Sequence, residues 1–288
     1  YQPPLYREFR TFDGKLALGV KSQKSFHAVL GSEFQFQMWG RSTPFKLNTE
    51  LYYKYLWDLN PYEIENVRTR YYATNNAVGY AYGFDVNVHG EFVKGIQSFF
   101  KLGLLSTKED IKGDQYTIYY NAAGERIIFG YSEDQTVVDS TVVHPGFIPR
   151  PTDQWLTFGA LVQDQMPGYE AFKVQMGLQY GSRLPYGPPD FTRYKDTLRM
   201  RSYFRVDLGL SYDLLYKRSL MQSKAPTTPF QKAGHSIDQA LISLEIFNVL
   251  GVNNVLSKQW IQDVQGKFYA VPNYLTQRLF NLKLSIVL

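Results

Sequence analysis

The sequence predicts an all-β chain that crosses a membrane as an antiparallel β-barrel. Three observations support this prediction: long segments in which apolar and polar residues alternate, connections that alternate between short and long, and a high aromatic content. Alternation with a period of two residues is typical of a strand with one apolar and one polar face. With 23 Tyr and 20 Phe in 288 residues, the aromatic share is 16%. Tyr and Trp suit a membrane–water interface, because each joins an apolar ring to a polar tip.

The alternation predicts about nine strands, most of them near ten residues long. In the first, Phe26, Ala28 and Leu30 share one face, whereas His27 and Glu33 share the other. Soluble strands average about 5 to 6 residues, and a bilayer-crossing strand needs about 9 to 11. A soluble β-sandwich would show the same alternation and is the alternative. The predicted strands are Phe26–Met38, Leu47–Trp57, Tyr80–Val88, Ile96–Leu104, Trp155–Val162, Phe172–Tyr180, Phe204–Tyr212, Ile242–Ile246 and Phe280–Leu288.

The connections between the predicted strands alternate in length. Short links are expected at residues 40–44, 90–95 and 163–169, and long ones at 58–78, 106–153 and 181–201. Outer-membrane barrels have short periplasmic turns and long extracellular loops. The last strand follows a long loop, so the C-terminus is expected on the periplasmic side. The link at 216–238 breaks the rule by being long, and we interpret it as an elaborated turn.

Several function classes are disfavoured by composition and motifs. The net charge is +5 and cysteine is absent, so no disulfide framework or thiolate site is available. Lys and Arg are scattered rather than clustered, which argues against nucleic-acid binding. His27, His89, His144 and His235 lie far apart without ligand spacing, so neither a metal site nor a cofactor is expected. No nucleophile elbow, phosphate-binding loop or dinucleotide motif occurs, and the chain is not expected to be an enzyme.

Two sets of residues are candidates for function. Binding residues gather on loops carried by rigid scaffolds, and Tyr and Arg suit sugars, peptides or anionic chelates. Packing within the loops would use the same residues, so both roles stay open. The loop candidates are Tyr62, Arg68, Arg70, Tyr71, Tyr72, Arg183, Tyr186, Tyr194 and Arg199. Residues expected to face the barrel lumen or a plug, mainly as hydrogen-bonding groups, are Lys173, Arg205, Asp207, Glu245 and Lys283.

Six short motifs occur in an order and spacing that resemble the barrel of TonB-dependent receptors, particularly those with an N-terminal carboxypeptidase-regulatory-like domain. They cover most of the chain from about Lys24 onward. The motifs are NPYE at 60–63, GYAYG at 79–83, PRPTDQ at 149–154, YGSRLPYGPP at 180–189, EIFN at 245–248 and VPNY at 271–274. The resemblance implies a 22-stranded barrel around a plug domain.

On this basis residues 1–24 are expected to form an extracellular lead-in, and 25–288 the C-terminal barrel segment, with the plug and the N-terminal strands absent. The resemblance implies a receptor that imports a scarce nutrient with energy transmitted by TonB. Its implied partners are outer-membrane lipid, TonB through the plug, an imported small molecule, glycan or peptide, and a surface lipoprotein. Two alternatives are a non-transporting barrel with a structural or secretion-machinery role and an outer-membrane protease or lipase, the latter disfavoured for want of a site.

Overall fold

The computed structural model describes residues 1–11, 13–41, 43–93, 96–129, 131–166, 169–188, 192–215 and 239–287. A short 3-10 helix at Tyr6–Phe9 precedes the strands. The strands are β1 (Lys24–Phe36), β2 (Phe45–Leu59), β3 (Tyr62–Glu65), β4 (Arg68–Tyr71), β5 (Ala77–Val93), β6 (Ile96–Ile111), β7 (Tyr116–Tyr120), β8 (Asp139–Val143), β9 (Ile148–Pro149), β10 (Leu156–Met166), β11 (Tyr169–Gly181), β12 (Pro185–Tyr186), β13 (Leu198–Arg199), β14 (Tyr203–Asp213), β15 (Gln239–Phe247), β16 (Val255–Gln262), β17 (Phe268–Tyr274) and β18 (Leu279–Val287).

The nine predicted strands form one antiparallel sheet in the order β1-β2-β5-β6-β10-β11-β14-β15-β18, with β9 added beside β6. Every long strand therefore pairs with its neighbour in the predicted series, which confirms the predicted strands and their antiparallel pairing. Within the described residues the sheet is open, and β1 and β18 are its two edges. The link at 216–238, predicted to be an elaborated turn, lies outside the described residues.

The strand register keeps apolar residues on one face of the sheet and polar residues on the other. Directly opposed residues point to the same side, so a row across the sheet belongs to one face. One row of the apolar face consists of Leu30, Leu51, Phe84 and Leu104, and another of Met176, Leu208, Ile246 and Phe280. The adjacent row of the polar face consists of Gln175, Gly209, Glu245 and Asn281.

The apolar face is uncovered by protein. Leu30 is 74% exposed, Met176 42% and Leu282 71%, although each lies in the middle of a strand. A soluble sandwich would bury this face against a second sheet, and the largest sheets described besides the main one have two strands each. The β-sandwich alternative is therefore wrong for the described chain, and an apolar face of this extent indicates contact with lipid.

The connections separate to the two ends of the sheet. Long connections join β2 to β5, β6 to β10, β11 to β14 and β15 to β18, and we call their side of the sheet the loop end. The opposite side, where β1 meets β2, β5 meets β6 and β10 meets β11, is the turn end. Since β1 and β18 both run from the loop end to the turn end, the two edge strands point in the same direction.

Different residues hold the two ends together. At the turn end, the Phe45 ring is fully buried, and its atoms lie where a Cβ on Gly90 would be, at 2.1 Å. Only glycine leaves room for this ring. At the loop end, Leu59, Ala77, Ile111 and Ile148 form a small buried core. No helix among the described residues is long and apolar enough to cross a membrane.

Candidate functional site

The long connections carry small hairpins that meet one another at the loop end. β3 pairs with β4, β7 with β8, and β16 with β17. Asn66, at the tip of the β3–β4 hairpin, accepts a hydrogen bond from Asn273 Nδ2 at 2.5 Å and one from Ser257 Oγ at 3.4 Å. These partners belong to the connection between β15 and β18, near the opposite edge of the sheet. Loops from distant strands therefore converge.

A second contact joins the connection between β6 and β10 to the β16–β17 hairpin. The Tyr131 hydroxyl donates to the Phe268 carbonyl at 3.0 Å and accepts from the Phe268 amide at 2.9 Å. The Lys267 ammonium lies 6.0 Å from the centre of the Tyr131 ring. At the same tip, backbone amides led by that of Lys267 hold the pKa of Asp263 below its usual range. The β16–β17 hairpin is thus fastened to two other loops.

A buried ionic cluster pins the connection between β11 and β14 to the wall. The Glu109 side chain is fully buried on β6 and pairs with Arg193, which is 1% exposed. Arg150 Nε donates to the other Glu109 oxygen at 2.9 Å, and Arg193 Nη1 donates to the Pro149 carbonyl at 2.7 Å. Burying a charge is costly unless it is paired, so this cluster fixes the loop that carries Arg193.

Glu63 extends the cluster to the first loop. Its carboxylate accepts from the Arg193 amide at 3.0 Å and from the Tyr72 hydroxyl. Burial and the neighbouring Glu63 raise the pKa of Tyr72, which keeps the phenol protonated. Tyr72 and Tyr194 also pack on the small core of the loop end. Both tyrosines therefore have packing roles, although they were predicted as loop candidates for ligand binding.

Arg199 and Arg183, two loop candidates on the connection between β11 and β14, are held by one ion pair and by hydrogen bonds to the backbone. Arg199 Nη2 contacts Asp153 Oδ2 at 2.6 Å, and Asp153 Oδ1 accepts from the Thr107 amide of β6 at 2.9 Å. Arg199 Nη1 donates to the Arg183 carbonyl at 3.0 Å, and Arg183 Nε donates to the Met200 carbonyl at 3.0 Å. Arg199 thus ties the loop to the wall, while Arg183 remains exposed.

The remaining loop candidates lie on or near the surface of the hairpins. The rings of Tyr62 and Tyr71 are 5.7 Å apart across β3 and β4, and the Arg150 guanidinium lies 6.0 Å from the Tyr62 ring centre. Burial raises the pKa of Tyr71. Arg70 pairs with Glu65 along the same hairpin, while Arg68 is exposed at its tip. The first group of candidates is therefore brought together on one hairpin.

Tyr186 has a partner that sequence reasoning missed. Its ring lies 6.1 Å from that of Trp260 on β16, and Trp260 Nε1 donates to the Gly187 carbonyl at 3.1 Å. Partial burial raises the pKa of Tyr186. Glu63, Glu109, Arg150 and Arg193 were also missed. The available signal was that Glu63 and Arg150 belong to the NPYE and PRPTDQ motifs; Glu109 and Arg193 lie outside both motifs, and the pairing of the four residues spans the chain.

The residues predicted to face the lumen all lie on the polar face. Lys173 and Lys283 belong to one row with Ser211 and Ser243. Arg205 Nε donates to Asp207 Oδ1 at 2.7 Å, and the Asn248 amide donates to the same oxygen at 2.7 Å. Asn281 Nδ2 donates to Glu245 at 2.9 Å. Arg205, Asp207 and Glu245 are therefore already hydrogen-bonded within the wall, and contact with a plug stays a prediction.

Loops and polar face together enclose a hollow of about 700 Å³. Arg150 and Thr152 line it from the loop side. The polar face supplies carboxylates, cationic or titratable groups and a phenol, namely Glu50, Asp85, His27, Lys54 and Tyr52. Such a mixed lining can hydrogen-bond a polar occupant of either charge. Within the part of the chain that is described, no group of three or more His, Asp or Glu side chains could hold a metal ion.

Comparison with known proteins adds a fold likeness. No protein-family model matches the chain, and no curated protein matches it. The solved structure of the outer membrane transporter YddB from Escherichia coli is 14% identical, over 93% of this chain and 33% of that one, with a TM-score of 0.51. The sheet therefore has the fold of a section of a transmembrane β-barrel wall. The ferric-catecholate import receptor Fiu from K12 E. coli is 14% identical over 98% of this chain and 29% of that one, with a TM-score of 0.48.

The barrel section corresponds to about a third of each of those solved chains. In a barrel wall, the exposed apolar face is the one that meets lipid, and the polar face is the one that meets the lumen. The loop end, where the hairpins meet one another, is then one end of the barrel wall.

Proposed function

We propose that this chain forms part of the wall and the outer mouth of a TonB-dependent outer-membrane receptor that imports a scarce nutrient. The observation that supports the proposal most is the convergence of loops from distant strands, through Asn66 and Asn273, at the loop end of the sheet. A barrel that served only as a membrane anchor would not require its loops to meet one another. The nutrient is a metal chelate, a glycan, a peptide or a similar polar molecule.

The proposed orientation follows from barrel construction. Long loops of outer-membrane barrels lie outside the cell and short turns lie in the periplasm, so the loop end is extracellular and the C-terminus periplasmic. Residues 1–11 and 13–23 lie at the loop end, where Asn60 Nδ2 donates to the Glu8 carbonyl at 3.2 Å. This contact agrees with the expected role of the first residues as an extracellular lead-in.

Substrate contact is assigned to the loop residues that are least committed to packing. These are the half-exposed Tyr62, the exposed Arg68 and the Tyr186–Trp260 pair. Aromatic rings stack on sugar or chelate rings, and Arg binds carboxylate or other anionic groups. Arg193, by contrast, is committed to Glu109. The proposal needs no catalytic step, because the receptor binds and passes its cargo unchanged.

Energy transmission is assigned to parts of the receptor beyond this chain. TonB would pull on a plug held in the lumen, and the polar face would hold the plug by hydrogen bonds. A surface lipoprotein that closes over the converging loops is a compatible partner. The resemblance to TonB-dependent receptors implies all three partners: TonB, the plug and the surface lipoprotein.

A growth experiment tests the function. A strain lacking the gene is grown with single limiting sources of iron chelate, glycan, peptide or cobalamin, and is complemented with the intact gene or with the Arg68→Ala plus Tyr62→Ala variant. The proposal expects a defect on one nutrient class, restored by the intact gene, lost again without TonB, and restored poorly by the loop variant. Normal growth on every source, together with a defect in surface assembly or secretion, would favour the non-transporting alternative.

A further inference from the structure

The apolar face carries an aromatic hollow close to the loop end. Phe26, Tyr53, Tyr55 and Trp57 line it on β1 and β2, together with Lys112 beyond the end of β6. The Tyr55 and Trp57 rings are stacked with their centres 5.9 Å apart, and Tyr55 is 43% exposed. The hollow is a broadly open depression of about 700 Å³ that faces away from the polar face. We call it the rim hollow.

Two exposed lysines, Lys112 in the lining of the rim hollow and Lys21 beside it, are held by adjacent asparagines through their backbones. The Lys21 amide donates to Asn75 Oδ1 at 2.6 Å, and Asn75 Nδ2 donates back to the Lys21 carbonyl at 3.1 Å. Asn75 Nδ2 also donates to the Asp58 carbonyl at 2.7 Å, which places it beside the hollow. The Lys112 amide donates to the Asn76 carbonyl at 2.8 Å. Both lysine backbones are therefore fixed.

The rim hollow has an excess of positive charge. The Asp58 carboxylate, which also lines the hollow, is paired with Lys24 at 2.6 Å. Within the described residues, neither the Lys21 nor the Lys112 ammonium has an acidic partner within 4 Å. On β6, Lys108 and Asp110 share the apolar face and offset each other in charge. Lys21, Lys24 and Lys112 all interact electrostatically with the Asp58 carboxylate, so three ammonium groups share one carboxylate and positive charge is in excess.

We propose that the rim hollow binds an anionic membrane lipid, one whose headgroup phosphate is not balanced by a cation of the lipid itself, as the phosphate of phosphatidylcholine is. The phosphate would lie between the ammonium groups of Lys21 and Lys112, and the first carbons of an acyl chain would run along Tyr53, Tyr55 and Phe26. Phosphate is the natural partner of two converging cations at the headgroup level, and aromatic rings at that depth present apolar surface to the chain. The proposal rests on the membrane placement given above but not on transport.

Native mass spectrometry of the purified full-length protein tests the proposal. The detergent-solubilised protein is titrated with short-chain phosphatidic acid, with phosphatidylcholine of the same chain length and with inorganic phosphate. The test variant is Lys21→Gln with Lys112→Gln. The control is Lys173→Gln with Lys283→Gln, which removes two exposed lysines of the polar face, on the other side of the sheet from the rim hollow, and leaves the net charge of the two variants equal.

We expect phosphatidic acid to bind the native protein and the control equally, and the test variant at least five-fold more weakly. Replacing Tyr55 with Ser should also weaken binding, because it removes a ring that contacts the chain. Phosphatidylcholine should bind native and test protein alike. Equal phosphatidic acid binding by the test variant and the control would overturn the proposal. Displacement of the lipid by inorganic phosphate at the same concentration would also overturn it, by showing a site for free phosphate alone.

Discussion

Arg193 and Glu109 form an ion pair that is buried on both sides, with exposures of 1% and 0%, although 84 residues separate them. The pair joins the connection between β11 and β14 to the wall strand β6. Removing one partner of a buried pair leaves the other charge without full compensation. The conformation of this loop therefore depends on a contact that no local pattern in the sequence encodes.

The first prediction concerns this pair. Replacing Arg193 with Met should destabilise the protein by about 3 kcal/mol, since Glu109 would stay buried with Arg150 as its only cation. The measurement is urea unfolding in detergent, combined with proteolysis of the loop at 182–202. Arg201→Met is the matched control, because Arg201 is exposed in the same loop. If both variants unfold at the same urea concentration, the ion pair does not hold the loop.

The second prediction concerns the apolar face. Met176→Arg should cost about 2 to 4 kcal/mol if the residue lies near the middle of the bilayer, because a charge would enter hydrocarbon. Gln175→Arg, one residue away on the polar face, should cost far less. Unfolding of the two variants in lipid vesicles distinguishes them. Equal costs, or a greater cost at Gln175, would contradict the assignment of the faces.

The third prediction concerns the sheet edges. Since β1 and β18 run in the same direction, they cannot close the described sheet with an antiparallel pair, and an unpaired backbone group in hydrocarbon costs several kcal/mol. Residues 1–288 expressed alone with a signal peptide should therefore misassemble. In the complete receptor both edges should pair with further strands. Heat-modifiable migration and protease resistance of the isolated segment in outer membranes would show a self-sufficient barrel instead.

The fourth prediction concerns the converging loops. The chain contains no cysteine, so Asn66→Cys with Asn273→Cys introduces a single pair at a contact of 2.5 Å between the native side chains. Mild oxidation should cross-link the pair and slow import, if cargo must separate the loops to enter. Asn66→Cys with Thr276→Cys serves as the control. Failure to cross-link under conditions that oxidise other close pairs would mean that the loops do not meet.

The wall could be predicted from the sequence because the bilayer imposes a simple rule on it. Each crossing strand must present one apolar side over about ten residues, as Phe172 to Tyr180 do, and this alternation is visible without any knowledge of partners. Turn positions were less accurate: the link predicted at 90–95 is largely strand, because β5 continues to Val93. The extra length of β5 depends on its pairing with β2, where the Phe45 ring packs on Gly90. The local sequence around Gly90 does not show this contact.

The loop end could be predicted only in part. The β3–β4 hairpin has only four residues in each strand, and neither it nor the longer β16–β17 hairpin was predicted; both lie within segments predicted to be loops. The polar contacts that fix them join distant positions: 207 residues separate Asn66 from Asn273. Tyr and Arg in a loop suggest binding, yet Tyr72 and Arg199 are used for packing and ion pairing. Residue type alone cannot separate the two roles.

Cysteine labelling of intact cells shows whether this chain is a barrel wall whose loop end lies outside the cell. Single substitutions Arg68→Cys, Pro44→Cys, Met176→Cys and Gln175→Cys are made in the full-length protein and treated with a membrane-impermeant maleimide. We predict labelling at position 68 in intact cells, at position 44 only after the outer membrane is broken, and at position 176 under neither condition, with position 175 more reactive than 176. Labelling at position 44 with protection at 68, or equal labelling at 175 and 176, would contradict the account.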